Sequence, residues 1–224
     1  AADCGGRTAD WAEVASRADL DVAIARIGTP AILKTTRFGY DGKGQARILK
    51  PTDADPAWDA LSGGAPLILE KMIRFEHEFS LICARDQQGG IAFWDAPENV
   101  HKDGILATST LPAHAKILEQ VPAARALCRR IAERLDYVGV FAVEFFASDE
   151  GPVFNEMAPR VHNSGHWTIE GALTSQFENH IRAVAGLPLA STKLAAPQVE
   201  MRNIIGADAD KWLEWASDPL SHLH

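Results

Sequence analysis

Two glutamates face each other across a predicted hairpin in the second half of the sequence. The apolar segments "VGVFAVEFFA" and "PVFNEMAP" flank the turn "SDEG", which predicts two antiparallel strands. With Glu150 at the tip, Glu144 lies opposite Glu156, and directly opposed side chains are about 5 Å apart. Like charges at that distance repel each other. A bridging divalent cation such as Mg²⁺ would remove the repulsion, and Asn155 adds an amide oxygen.

A polar cluster follows the second glutamate. Arg160 can hold a carboxylate or phosphate through two parallel hydrogen bonds. A polar surface loop is the alternative, and a one-residue slip of the hairpin would turn one carboxylate to the other face. Because the cluster begins four residues after Glu156, we favour a shared site for the metal and an anion. Its members are Arg160, His162, Asn163, Ser164 and His166.

A glycine-rich turn lies between the predicted strands "PAILKTT" and "QARILK". Asp-Gly between apolar runs is typical of a hairpin, because glycine adopts the positive φ that such turns need. The turn also carries a concentration of cations, which suits a phosphate. We therefore expect a hairpin that acts as a lid over a nucleotide and becomes ordered when the nucleotide binds. The cations are Lys34, Arg37, Lys43 and Lys50.

A third element is the predicted strand "LILEKMI". A strand that ends in Glu70 and Lys71 and continues into Met72 and Ile73 can present backbone groups to an adenine edge between apolar neighbours. A solvated Glu–Lys pair is the alternative. Two further polar residues carry little signal by themselves: Glu78 and His101.

Hydrophobic patterning predicts the elements that position these residues. A helix capped by Ser16 ends at Gly28, and a long helix is divided or restarted at Pro122. Strands dominate the rest, which favours an α+β architecture with two strand-rich lobes. We predict an irregular segment (1–15), a small lobe (16–74), a large lobe (75–190), and a linker with the start of a C-terminal β-rich module (191–224) that the strand "VEMRNIIG" opens.

Composition narrows the class of protein. The 224 residues are 46% hydrophobic, enough for a sizeable core. A net charge of -8 argues against a general nucleic-acid binder. The three cysteines have no paired spacing, and no apolar run reaches the roughly 18 residues of a membrane helix. We expect a cytoplasmic protein that binds neither nucleic acid nor membrane.

Taken in order, these motifs resemble the ATP-grasp superfamily and, within it, the 5-(carboxyamino)imidazole ribonucleotide synthetases of purine biosynthesis. The most specific are "GYDGKGQ" and "NEMAPRVHNSGHWT", and the resemblance runs from about Asp19 to Gly206. It implies an ATP-grasp fold with the nucleotide between two lobes. Family members also carry an N-terminal domain and a basic C-terminal motif without a counterpart here, so we expect a fragment of such an enzyme.

The resemblance also implies roles for individual residues. Lys34 would contact the phosphates of ATP and, with Arg160 and His162, take part in catalysis. Glu144 and Glu156 would hold Mg²⁺ beside Asn155, while Glu156 also faces the nucleotide. The polar cluster from Arg160 to His166 would bind the substrates. The remaining nucleotide contacts would be the lid (Gly39, Tyr40, Asp41, Gly42, Lys43, Gly44 and Gln45), the adenine hinge (Glu70, Lys71, Met72 and Ile73), the ribose ligand Glu78, and His101.

The implied reaction uses bicarbonate and ATP to form carboxyphosphate, which then carboxylates the amine of aminoimidazole ribonucleotide. The full-length protein would be a homodimer. Two alternatives stay open. One is another ATP-grasp ligase that uses formate or biotin, and the other is a nucleotide-binding module without turnover.

Overall fold

The computed structural model describes residues 1–37, 43–63 and 65–224, and it has the predicted α+β architecture. In the described residues, strands form one four-stranded and one eight-stranded sheet. The strands are β1 (Arg7–Thr8), β2 (Trp11–Val14), β3 (Ala31–Thr35), β4 (Gln45–Ile48), β5 (Leu67–Lys71), β6 (His77–Arg85), β7 (Ile91–Phe93), β8 (Glu98–Lys102), β9 (Ile105–Leu111), β10 (Gly139–Ser148), β11 (Gly151–Ala158) and β12 (Val199–Arg202), and the helices are α1 (Arg17–Ile27), α2 (Ala54–Leu61), α3 (Ala115–Arg134), α4 (Thr168–Gly171), α5 (Gln176–Val184) and α6 (Trp212–Ala216).

The smaller sheet has the strand order β2-β5-β3-β4, with every pair antiparallel. Helices α1 and α2 pack on it over a core that includes the fully buried Leu20, Leu33 and Leu69. The predicted boundaries of α1 are confirmed. The Ser16 hydroxyl accepts a hydrogen bond from the Asp19 backbone N–H at 3.1 Å, and Gly28 ends the helix at a φ of 77°.

The larger sheet has the order β1-β11-β10-β6-β8-β9-β12, and β7 adds to β6. The residues of β6 from Phe79 to Ala84 are all buried, as a strand covered on both faces requires. One face packs against α3 around Phe141 and Phe145, and the other forms a second core around Trp94. Among the described residues, no helix combines the length and apolar character that crossing a bilayer requires.

Three expectations about the architecture are wrong. The first 15 residues are not irregular, because β1 pairs with β11 and β2 pairs with β5. These strands are too short to give a clear alternating pattern. Pro122 lies inside one continuous helix, where buried Ile117 and Ala124 hold both sides of it against the sheet. Finally, β12 pairs with β9 as an edge strand of the larger sheet instead of opening a separate module. The exact lobe boundaries stay predictions.

Truncation of Leu33 tests the core of the smaller sheet. Leu33 is fully buried, so Leu33→Ala should lower the free energy of unfolding by about 2–5 kcal/mol through the cavity that it leaves. Val22 on α1 is 69% exposed, so Val22→Ala should change the free energy of unfolding by no more than about 0.5 kcal/mol. Urea unfolding followed by circular dichroism measures both. Equal effects of the two substitutions would contradict this assignment of the core.

Candidate active site

The two glutamates of the predicted hairpin do face each other. In the ladder between β10 and β11, Glu144 lies opposite Glu156, and the register shifts immediately afterwards, between Glu144 and Phe145. On its other side, Glu144 pairs with Ser80 of β6. The Glu144 side chain is only 12% exposed, whereas Glu156 lies at the surface. The one-residue slip considered as an alternative is therefore excluded.

His162 completes a group of three possible ligands with the two glutamates. One atom from each residue lies within 4.8 Å of the other two, and His162 Nε2 is 3.8 Å from Glu144 Oε1. The backbone N–H of Ser164 donates to His162 Nδ1 at 3.3 Å. Nδ1 also lies 2.9 Å from the Ser164 hydroxyl oxygen, which can donate or accept. We assign Nδ1 as the acceptor in both contacts because the backbone N–H can only donate, and this assignment places the proton of the neutral ring on Nε2.

Burial and neighbouring charges shift the pKa values of Glu144 and His162. Burial, with the nearby Glu156 carboxylate as the second cause, raises the pKa of Glu144 to about 7. Burial also lowers the pKa of His162 to about 4, and the charges of Arg160 and His101 act in the same direction. His162 is therefore neutral at pH 7, and Glu144 is about half protonated there, because the charge of His101 offsets burial and the Glu156 carboxylate only in part.

The donor set fits a hard divalent cation. Glu144 and Glu156 offer carboxylate oxygens, and Asn155 contributes a side-chain hydrogen bond to Glu144. Such oxygens are the ligands that Mg²⁺ prefers. His162 fits less well as a ligand, because its Nε2 holds the proton. We therefore assign the carboxylates to the metal and His162 to hydrogen-bond donation beside it.

Glu78 and His101 lie next to this group. His101 Nδ1 is 2.9 Å from Glu78 Oε2 across β8 and β6. Burial lowers the pKa of His101, but the carboxylate of Glu78, with Glu144 and Glu156 farther away, outweighs burial and raises it overall. The structure thus brings two residues with weak sequence signals to the same face of the sheet as the glutamate pair.

The smaller sheet presents Lys34 and the hinge residues. Lys34 Nζ lies 2.6 Å from Glu70 Oε2, and both side chains are largely buried. The Glu70–Lys71 pair is therefore not simply solvated, since Lys71 donates to the Thr29 carbonyl instead. The Met72 backbone N–H already donates to the Pro30 carbonyl, so an adenine would have to use other groups of the hinge.

Part of the predicted lid can be placed. Gln45 pairs with Lys34 in the ladder between β3 and β4, and Gly44 has a φ of 75°. This agrees with a glycine-dependent turn between antiparallel strands. Gly39, Tyr40, Asp41 and Gly42 lie outside the described residues, so the lid itself stays a prediction.

The polar cluster divides into buried and exposed members. Asn163, Ser164 and Gly165 form a short 3₁₀ turn, in which Ser164 is fully buried. Arg160 is exposed and donates to the Val161 carbonyl. His166 points toward Phe177, with ring centroids 5.7 Å apart. Within this cluster, His162 is the residue grouped with the glutamates.

Sequence reasoning missed a buried polar ladder beside the site. Asn99 donates to the Ser80 hydroxyl at 3.0 Å and accepts from the Ser109 hydroxyl at 2.7 Å. This ladder crosses β6, β8 and β9 next to Glu144. Polar residues inside apolar strands were the available signal. Gln176, fully buried at the start of α5, was missed as well.

The two sheets and the residues that they gather are those of an ATP-grasp domain, and the chain belongs to the ATP-grasp domain family, whose model matches residues 1–177. A curated relative, the N5-carboxyaminoimidazole ribonucleotide synthase of Brucella melitensis, is 49% identical over 212 residues, which are 93% of this chain and 58% of the relative. The chain thus spans little more than half the length of that relative.

Solved structures agree with this assignment. The N5-carboxyaminoimidazole synthetase from Staphylococcus aureus complexed with ADP is 34% identical with a TM-score of 0.92, over 100% of this chain and 59% of that one. The N5-carboxyaminoimidazole synthase from Aspergillus clavatus, in complex with ADP and 5-aminoimidazole ribonucleotide, is 30% identical with a TM-score of 0.87, over 97% and 59%. The resemblance to ATP-grasp proteins is confirmed.

The raised pKa of Glu144 predicts a pH-dependent stability in metal-free protein. A carboxyl whose pKa is about 7 stabilises the fold fully only below its ordinary value, and that contribution disappears as the pH rises through about 7. Glu144→Gln mimics the protonated form. It should raise the midpoint of thermal unfolding more at about pH 8 than at about pH 5.

Circular dichroism in the presence of a chelator measures this difference. Glu200→Gln is the control, because Glu200 is exposed on β12 and forms an ion pair with Arg202, away from the glutamate pair. For Glu200→Gln, the change in the midpoint of thermal unfolding should be no larger at about pH 8 than at about pH 5. The same increment for Glu144→Gln at both pH values would contradict the shifted pKa.

Proposed function

We propose that the chain is the catalytic core of an ATP-dependent carboxylase that converts 5-aminoimidazole ribonucleotide and bicarbonate into 5-(carboxyamino)imidazole ribonucleotide in purine biosynthesis. The observation that carries the proposal is the Glu144–Glu156 pair with a neutral His162 beside it. The Brucella and Aspergillus relatives support it through the activity and the ligands in their names. The finer assignments, which are Mg²⁺, bicarbonate, a homodimer of the full-length protein and a cytoplasmic location, belong to the same proposal.

In the first step, a bicarbonate oxygen attacks the γ-phosphorus of ATP. A new P–O bond forms, the bond to the β-phosphate oxygen breaks, and carboxyphosphate and ADP result. The protein mainly positions the reactants and offsets negative charge in this kind of transfer. Lys34 and Arg160 supply positive charge, and Mg²⁺ held by the two glutamates would neutralise phosphate oxygens.

In the second step, the amine of aminoimidazole ribonucleotide attacks the carboxyl carbon of carboxyphosphate, or of the carbon dioxide released from it. On the direct route, the C–N bond forms as the carboxyl C–O bond to phosphate breaks, and on the carbon dioxide route that C–O bond has broken beforehand. In both, the released phosphate takes the proton that the amine loses. His162 can donate its Nε2–H to a carboxyl oxygen at this point, because the Ser164 N–H holds Nδ1. Asn163, Ser164 and His166 extend the polar surface on which the ribonucleotide would lie. A lid that excludes water would protect carboxyphosphate from hydrolysis.

ADP release by the 224-residue chain tests the proposal. With ATP, Mg²⁺ and bicarbonate present, aminoimidazole ribonucleotide should accelerate ADP formation, whereas formate or biotin in its place should not. Acceleration by formate or biotin would instead indicate another ATP-grasp ligase. ATP binding in calorimetry without stimulated ADP release would contradict turnover. It would favour a nucleotide-binding module, consistent with a chain that spans 58% of its relative.

The metal assignment has its own test. Glu156→Gln removes one of the two carboxylates, and we expect the Mg²⁺-dependent part of nucleotide affinity to fall by at least the roughly 10–100-fold that loss of an outer-shell partner costs. Glu200→Gln is the control because it makes the same chemical change at an exposed position. Isothermal calorimetry with and without Mg²⁺ measures both variants. An unchanged Mg²⁺ dependence in Glu156→Gln would show that the assignment is wrong.

A further inference from the structure

A buried glutamine holds the main chain of His162 at two points. The Gln176 side-chain oxygen accepts from the His162 backbone N–H at 2.9 Å, and the side-chain nitrogen donates to the His162 carbonyl at 2.7 Å. Gln176 is fully buried at the start of α5. Both polar ends of its amide are thus satisfied by a single residue fourteen positions earlier in the chain. We call this arrangement the His162 clamp.

The surroundings leave the clamp little freedom. Thr168 Oγ1 accepts from the Gln176 backbone N–H at 2.9 Å and donates to the Gly165 carbonyl at 2.6 Å. A Cβ on Gly165 would lie 2.5 Å from Gln176 Oε1, so glycine leaves the space that the amide occupies. The first residue of α5 therefore fixes the loop that carries His162 at several points.

Two sets of hydrogen bonds together aim the imidazole. The His162 clamp fixes the main chain and hence the direction in which the side chain leaves it. The Ser164 backbone N–H and hydroxyl, 3.3 and 2.9 Å from Nδ1, then fix the ring, and with Nδ1 as the acceptor of both the proton lies on Nε2. His162 Nε2 is thereby placed 3.8 Å from Glu144 Oε1.

We propose that Gln176 is a positioning residue, which acts through His162 to hold the Nε2–H donor at the site of carboxyl transfer. This inference rests on the proposed function. A group displaced by about 1 Å can cost roughly 10²-fold in rate, so loss of the clamp should be visible in turnover even though Gln176 touches no substrate.

The same helix provides a matched control. Asn179, one turn after Gln176, is also fully buried, and its amide binds the main chain of Ala190 in the same two-point manner, at 2.8 and 3.2 Å. Ala190 is not part of the candidate site. An apolar substitution at either position removes two hydrogen bonds from a buried amide to the main chain. Only the two hydrogen bonds of Gln176 hold His162.

The experiment compares Gln176→Met with Asn179→Leu in the 224-residue chain. Both should lower the midpoint of thermal unfolding. Gln176→Met should also lower kcat for ADP release driven by aminoimidazole ribonucleotide by about 10²-fold, with KM for ATP within about twofold. Asn179→Leu should leave kcat within about threefold. Parallel losses of kcat in the two variants would overturn the proposal, because the effect would then follow stability alone.

A second measurement separates this inference from the proposed function. Nitrogen NMR of the histidine rings should show His162 with its proton on Nε2 in the parent and in Asn179→Leu. In Gln176→Met, the signals should shift toward a mixture of tautomers. This measurement needs no turnover, so a parent without stimulated ADP release would count against the proposed function alone. Unchanged His162 signals in folded Gln176→Met would overturn the positioning role.

If Gln176→Met does not fold, Gln176→Asn takes its place in both measurements. Its amide is one methylene shorter, so it cannot hold the N–H and the carbonyl of His162 at their present distances. The paired control is then Asn179→Ser, which shortens the buried side chain that binds Ala190. A loss of kcat and a changed His162 signal confined to Gln176→Asn would support the clamp, and equal behaviour of the two variants would refute it.

Discussion

The site depends on the register between β10 and β11. Because opposed residues of an antiparallel pair share a face, this register brings the carboxylates of Glu144 and Glu156 together in a strand of otherwise apolar residues. The fold thereby holds a repulsive pair, and burial of Glu144 together with the charge of Glu156 raises the pKa of Glu144 to about 7. In the proposed function, a cation bound between the two carboxylates would remove this repulsion and turn a local cost in stability into affinity for a metal–nucleotide complex.

The surrounding elements serve that pair in different ways. Strand β6 lies on the far side of β10 and supplies Ser80 and Glu78 to the same face. The loop after β11 returns His162 to within 3.8 Å of Glu144. On the smaller sheet, the ion pair with Glu70 holds the Lys34 ammonium in place, and in the proposed function this ammonium would meet a phosphate.

Local patterns were enough to predict much of this arrangement. The hairpin register follows from counting residues about the turn, and α1 follows from its cap at Ser16 and its stop at Gly28. Contacts between distant segments could not be predicted. Strand β2 is defined by its partner β5, and β12 by its partner β9, rather than by their own short sequences. In the sequence, Gln176 looks like any polar residue at the start of a helix. Only the structure shows its two hydrogen bonds to the main chain of His162.

Gly165 has a consequence for how this chain can vary. A side chain there would meet the amide of Gln176 at 2.5 Å and Ile82 at 3.0 Å. A larger residue at 165 is therefore compatible with the fold only if a shorter one replaces Gln176, and that exchange would release His162. Position 176 can vary while glycine stays at 165, but 165 can enlarge only after 176 has shortened, and a lineage that made both changes would need another way to orient its imidazole.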